Sequence, residues 1–187
     1  GMARELLGLP LGKRLLLFGA LNVTDKRKGI DYLIEALRRM EKQDVELVVF
    51  GQVKDDIRGL FPVPIHSMGY LSDESKIVAL YNAVDMFITS SLEENLPNTI
   101  MESMACGTPC VGFEIGGIPE MIDHRVNGYV ANYKDAGDLA NGIQWVLEHE
   151  DRLALSDACV KKVQENYTEE VVAKQYTALY EKLLKGE

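Results

Sequence analysis

Two glutamates, Glu94 and Glu102, flank a proline in the stretch SSLEENLPNTIMESMACGTP, Ser90 to Pro109. Pro97 suits the first position of a helix, where its missing N–H costs nothing. Backbone N–H groups around Leu96, Asn98 and Thr99 are then free to face an anion, aided by the helix dipole. Glu102 lies four positions from Asn98 and three from Thr99 and shares a face with them, while Ile100, Met101, Met104 and Ala105 supply the buried side. A carboxylate only accepts hydrogen bonds. Glu102, one turn behind a phosphate-friendly terminus, therefore suits a ligand offering two vicinal hydroxyls, such as a ribose. Glu94, in the loop ahead of the helix, would reach hydroxyls on the far side of the phosphates. The competing reading leaves Glu94 solvated and Glu102 in a structural hydrogen bond.

A second group of residues carries the opposite charge. The chain has a formal net charge of −9, which repels a nucleic-acid backbone and disfavours such a partner. Against that background DKRKG, Asp25 to Gly29, gathers Lys26, Arg27 and Lys28 in one loop. Asp25 reads as a residue that orders this loop rather than as a base. Other chemistries find little support. His66, His124 and His149 are scattered without metal-ligand spacing and read as structural or surface residues. Cys106, Cys110 and Cys159 form no CxxC, and their odd number argues for thiols rather than a disulfide framework. No GxGxxG follows the first strand and no Walker sequence is present, so a nicotinamide dehydrogenase is disfavoured.

These residues need a scaffold that brings their loops together, and the hydrophobic pattern predicts one. KRLLLFGA (13–20), DVELVVFG (44–51), VPIHSMGY (63–70), VDMFITSS, TPCVGF and GYVAN read as six short apolar strands. Between them KGIDYLIEALRRME, SDESKIVALYNA and PNTIMESMA read as helices, the second with Ser72 as its N-cap and Ile77, Leu80 and Tyr81 facing inward. After Lys134 the chain reads as helical to its end. Trp145 and Tyr176 fall on helical faces and read as packing residues. Nearly all-apolar strands alternating with helices predict an α/β fold, a Rossmann-like doubly wound parallel sheet of about six strands with helices on both faces. In such a sheet ligands bind at the carboxyl ends of the strands, near the switch point. The loops expected there are GALNVTDKRKG, FGQVKDD, SSLEENLPN and EIGGIPE.

At 187 residues, 47% apolar and 26% charged, the chain has the size and composition of one globular domain. Residues 3–187 are expected to form it, with Gly1 and Met2 read as an expression scar and a start residue. No apolar run approaches a membrane span, and no secretory leader pattern opens the chain, so a cytoplasmic setting is the default expectation.

The Glu94-x7-Glu102 pair, with SMACGTPCVG and EIGGIPEMI in register behind it, resembles the carboxyl-terminal half of the retaining GT-B glycosyltransferases of family 4. The likeness runs from Leu15 to about Leu147. It implies that Glu102 hydrogen-bonds the ribose of a nucleotide sugar and that Glu94 lies near the donor sugar hydroxyls. The amides of Asn95, Leu96, Asn98 and Thr99 correspond to the turn that meets the phosphates. Gly116 and Gly117 correspond to a loop that lets backbone approach the donor. The segment Met68, Gly69, Tyr70 and Leu71 corresponds to the one that edges the base. The family places Gly-Arg after the first strand and Lys-Gly a few residues on, clamping the diphosphate. Here Gly19 is followed by Ala20, so that arginine is absent. Lys28-Gly29 fits the lysine position, and Arg27 or Lys26 replaces the missing charge beside a leaving diphosphate.

The resemblance implies a UDP- or GDP-sugar donor, retention, no metal, no cofactor and catalysis assisted by Glu94, Lys28 and Arg27. The acceptor, a saccharide or lipid-linked sugar, would belong to an amino-terminal domain absent from this chain. A lipid-linked acceptor would bring the full-length enzyme to a membrane surface. MARELLGLPLGKRLLLFG reads as the interdomain connection. In the last helix Val171, Val172, Tyr176, Leu179 and Tyr180 would leave an apolar strip open to dimerisation. The rival readings are a non-catalytic nucleotide-sugar-binding or regulatory module, a nucleotide-sugar epimerase, which does not fit the MACGTP and GGIPE register, and a flavodoxin-like signalling domain, whose acidic cluster is missing from the first-strand loop of this chain.

Overall fold

The computed structural model describes residues 1–22, 29–40, 44–93, 98–167 and 184–185. In chain order the elements are α1 (Met2–Leu7), β1 (Arg14–Asn22), α2 (Ile30–Arg39), β2 (Val45–Gln52), α3 (Asp55–Arg58), β3 (Ile65–Ser67) and α4 (Glu74–Ala83), then β4 (Met86–Thr89), α5 (Asn98–Ala105), β5 (Cys110–Phe113), α6 (Ile118–Met121), β6 (Gly128–Ala131), α7 (Ala136–Leu147) and α8 (Arg152–Asn166). The six strands form one parallel sheet in the order β3-β2-β1-β4-β5-β6.

Alternation along β1 explains why its sequence is apolar throughout. Leu16 and Phe18 join a core with Leu33, Ile34 and Leu37 of α2 and Leu139 and Ile143 of α7. Leu15 and Leu17 point to the other face, where they meet Leu80 and Tyr81 of α4, Ile100 and Met104 of α5 and Cys159 of α8. The strand is thus buried on both sides, and a period-2 polar pattern would place charge in one of the two cores. The Rossmann-like doubly wound sheet with a helical carboxyl-terminal region is the architecture the sequence predicts.

Several details depart from the sequence reading. The third strand covers only Ile65–Ser67 instead of residues 63–70. Pro64 has no N–H to donate, and Gly69, at φ 64, turns the chain out of the sheet. Asp73, not Ser72, caps α4: its carboxylate accepts from the Ser75 N–H at 2.9 Å and from the Ser75 hydroxyl at 2.6 Å. A charged acceptor placed two residues before that N–H outcompetes a hydroxyl one residue further back. Met2–Leu7, to which the sequence reading assigned no element, is helical. Its Arg4 fastens it to the amino-terminal edge of the sheet, donating to the carbonyls of Ala83 (2.8 Å) and Lys13 (2.7 Å).

At that edge Asp85, just before β4, is the shared partner of three arginines. Arg152 lies at 2.8 Å, Arg4 at 3.2 Å and Arg14 at 3.7 Å, and the Leu15 N–H donates to the same carboxylate at 2.7 Å.

Candidate functional site

The strand order creates a crevice before any side chain is considered. β1 and β4 are neighbours, with Leu16 opposite Met86 and Phe18 opposite Ile88. Yet the chain leaves β1 towards β2 and leaves β4 towards β5, so the two following loops part company at the carboxyl ends of the strands. Gly29, at the start of α2, has φ 62 and lies directly against Ser90 at the end of β4; a Cβ at Gly29 would run into the Ser90 carbonyl oxygen. The loop containing Lys28 therefore ends where the loop containing Glu94 begins.

The base of the second loop is well fastened. Thr89 and Ser91, both buried, share a hydroxyl contact of 3.1 Å, and the Ser91 N–H donates to Thr89 at 3.3 Å. From the β6–α7 turn, the Tyr133 hydroxyl donates to the Leu92 carbonyl at 3.0 Å. Lys26, Arg27, Lys28, Glu94, Asn95 and Leu96, all singled out from the sequence, lie outside the described residues, as does Pro97. The apolar strip proposed around Val171, Val172, Tyr176, Leu179 and Tyr180 lies outside them too.

Asn98 and Thr99 are exposed at the beginning of α5, and Glu102 is exposed one turn further in. Ile100 and Met104 face the core as expected, and Met101 is half-buried. Ala105 is exposed, and Ser103 takes the buried place, donating to the Thr108 carbonyl at 3.0 Å. The hydroxyl faces inward because a carbonyl of the following turn is there to receive it.

Glu102 opens onto a cavity of about 550 Å³ between α4 and α5, lined by Leu71 and Ser72 after β3, Ile77 and Tyr81 of α4, Glu102 of α5 and Cys106 just beyond its end. The Tyr81 hydroxyl donates to Glu102 Oε2 at 3.2 Å. Its ring is buried edge-to-face against Phe50 and Phe87, with centroids 6.0 and 6.2 Å away. The Tyr81 carbonyl accepts from the Thr108 hydroxyl at 2.7 Å. Burial, and then the Glu102 charge, push the phenol far above its ordinary value, so it remains a donor at any working pH. Burial raises the Cys106 thiol as well, with the Glu102 charge adding to the effect.

The segment edging this cavity is fixed by main-chain bonds. The Met68 N–H donates to Val49 at 2.9 Å and the Gly51 N–H to Gly69 at 2.8 Å, while the Ser67 hydroxyl donates to Gly51 at 2.8 Å. Met68 is half-buried against the core, Leu71 forms cavity wall, and Tyr70 is 67% exposed. The structure thus brings Leu71 and Glu102 to one cavity.

Gly19 sits at the carboxyl end of β1, where an added Cβ would stand 3.0 Å from the Phe50 ring and 3.2 Å from that of Phe87. Gly116, at φ 56, and Gly117, which caps α6, follow β5 and do not line that cavity. Among the described residues no group of His, Cys, Asp and Glu is placed to hold a metal ion, and no helix is long and apolar enough to cross a membrane.

The arrangement offers a carboxylate held by Tyr81 and an apolar wall that includes Leu71 and Ile77. Such a site accepts hydroxyl protons from a ligand and lays a flat, partly apolar moiety along Leu71 and Ile77. Sequence reasoning placed Tyr81 on the inner face of its helix but missed that its hydroxyl reaches Glu102. Helical spacing reports which side of a helix is buried; it holds no information about a partner on another element.

A sequence profile described as glycosyl transferases group 1 matches residues 12–149. An uncharacterized glycosyltransferase of Methanocaldococcus jannaschii is 28% identical over 187 residues, covering 95% of this chain and 47% of its own. Among solved structures, the sucrose-phosphate synthase of Thermosynechococcus elongatus superposes with a TM-score of 0.79 at 26% identity, over 99% of this chain and 49% of that one. Anabaena HepE in complex with UDP-glucose shares the fold at a TM-score of 0.76 and 22% identity, over 96% of this chain and 52% of its own. The chain spans about half or less of the length of the curated relatives it matches.

Proposed function

This chain belongs to the glycosyl transferases group 1 family, and on that footing we propose that it is the donor-binding half of a retaining glycosyltransferase fed by a UDP- or GDP-sugar. One observation carries the reading. Glu102 is exposed into a cavity one turn behind the start of α5, with one carboxylate oxygen held by Tyr81. In this reading the other oxygen accepts from the vicinal hydroxyls of the ribose. The base lies along Met68, Tyr70 and Leu71, and the diphosphate meets the N–H groups of Asn95, Leu96, Asn98 and Thr99. That HepE, crystallised with UDP-glucose, shares this fold supports a nucleotide sugar as the ligand class.

The catalytic part follows from charge. As the bond between the sugar's anomeric carbon and the diphosphate breaks, negative charge grows on the departing oxygens. Lys28 with Arg27, or Lys26, would stabilise it across the crevice that Gly29 and Ser90 pin together. Glu94 would accept from hydroxyls of the sugar itself, and Gly116 and Gly117 would let main chain approach it. No enzymatic nucleophile and no metal enter this scheme. The acceptor, a saccharide or a lipid-linked sugar, would be held by a second domain, in keeping with the relatives' greater length. The 187-residue chain alone should bind nucleotide and transfer nothing.

Calorimetric titration with UDP, GDP and ADP tests this reading. Saturable binding of UDP or GDP, abolished by Glu102→Ala, is expected. Binding that survives Glu102→Ala unchanged would remove the basis of the assignment.

A further inference from the structure

We infer that Tyr81 is a positioning residue for nucleotide recognition: its hydroxyl fixes the rotamer of Glu102 so that one carboxylate oxygen stays aimed at the ligand's diol. The inference rests on the ribose reading of Glu102 given above.

The geometry separates the two residues by role. Glu102 is exposed on a flexible side chain, and left alone it would sample several rotamers in water. Tyr81 has no such freedom. Its ring is 1% exposed, wedged between Phe50 and Phe87, and its main chain is tied to Thr108, which Ser103 ties back to α5. A core ring thus presents one hydroxyl at the wall of an otherwise open cavity, and the partner of that hydroxyl is Glu102 Oε2 at 3.2 Å. Fixing the acceptor before the ligand arrives removes an ordering cost from binding. A phenol is suited to this task. It donates a single bond to one oxygen, carries no charge of its own, and leaves the second oxygen its full capacity to accept. An arginine or lysine at the same place would compete with the ligand for both oxygens.

One feature argues against a merely structural bond. The α4–α5 packing is already secured by the Ser103–Thr108–Tyr81 chain, which does not involve the hydroxyl.

The test compares the wild-type chain, Tyr81→Phe, Glu102→Gln and the double variant by calorimetry, using UDP, GDP and the 2′-deoxy form of whichever binds tighter. The wild type should prefer the ribonucleotide roughly tenfold, the worth of one hydrogen bond to a charged group. Tyr81→Phe should weaken the ribonucleotide by about five- to tenfold, on the same scale, and should weaken the deoxynucleotide less. In the Glu102→Gln background the Tyr81→Phe penalty should vanish, since the hydroxyl acts through Glu102. A wild type that ignores the 2′-hydroxyl, or binds neither nucleotide, overturns the ribose reading and this inference with it. Intact discrimination with unchanged binding by Tyr81→Phe overturns the positioning role alone. Tighter binding would show the hydroxyl competing with the ligand, a penalty persisting in Glu102→Gln would show general damage to the site, and failure of Tyr81→Phe to fold would make the hydroxyl structural. Each of these also overturns it.

Discussion

Gly29 lies against the carbonyl of Ser90, so closely that no side chain fits between the start of α2 and the end of β4. Its φ of 62 is itself unfavourable for any residue with a Cβ. Both constraints act at the point where the basic loop meets the acidic one. Gly29→Ala should therefore destabilise the fold by about 2 kcal/mol or more, combining left-handed strain with a backbone clash. Urea denaturation measures this, and a loss under about 0.5 kcal/mol would mean that the loops part freely.

Glu102→Gln separates binding from folding. The residue is exposed, so the variant's unfolding free energy should stay within about 0.5 kcal/mol of wild type. Nucleotide affinity should fall roughly tenfold as a charged acceptor becomes neutral. Equal affinity of the two proteins for UDP and GDP would contradict the site.

The three-arginine cluster around Asp85 makes a prediction about stability alone. Asp85→Ala leaves Arg4, Arg14 and Arg152 crowded without their counter-charge and strips the Leu15 N–H of its acceptor. Loss of about 3 kcal/mol is expected, as for other partly buried pairs broken from one side. Because the cluster lies at the edge of the sheet opposite the crevice, nucleotide affinity of the folded variant should not change.

Asp138 carries a pH signature. Burial opposes its charge, but the Asn132 N–H at 2.7 Å and the Tyr129 hydroxyl at 2.7 Å outweigh that and hold its carboxyl below the usual value of 3.8. A depressed folded-state pKa stabilises the protein above the unfolded value and loses that contribution as pH falls through the folded one. The stability gap between wild type and Asp138→Asn should thus be complete at neutral pH and shrink below about pH 4. A gap that stays constant from pH 7 to pH 3 would show that the charge is irrelevant.

Most of the architecture was legible because β1, β2, β4 and β5 are apolar on both faces and separated by helical repeats. What escaped involved single residues whose role depends on a distant partner. Ser72 and Asp73 both qualify as caps by type, and only geometry chooses Asp73. MARELL holds no long apolar stripe, and its helix is secured by Arg4 reaching Ala83 and Asp85. At the site, the exposure of Glu102 and the burial of Ile100 and Met104 followed from helical spacing. Ala105, expected on the buried side, is exposed, and Ser103 is buried where Thr108 offers its hydroxyl a carbonyl. The contact from Tyr81 to Glu102 joins two helices through side chains alone, and no local pattern encodes it.

The pairing of β1 with β4 also has a kinetic meaning. Leu16 meets Met86 only after a whole helix–strand excursion through β2 and β3 has been placed or bypassed. Closing so long an excursion costs somewhat more chain entropy than the nearer β1–β2 pairing, and parallel pairing of this kind is slow. A refolding chain is therefore expected to pair β1 with β2 before the seam beside β4 is sealed. If nucleotide capture draws on both sides of that seam, as proposed above, it would mark the completion of folding rather than any of its early steps.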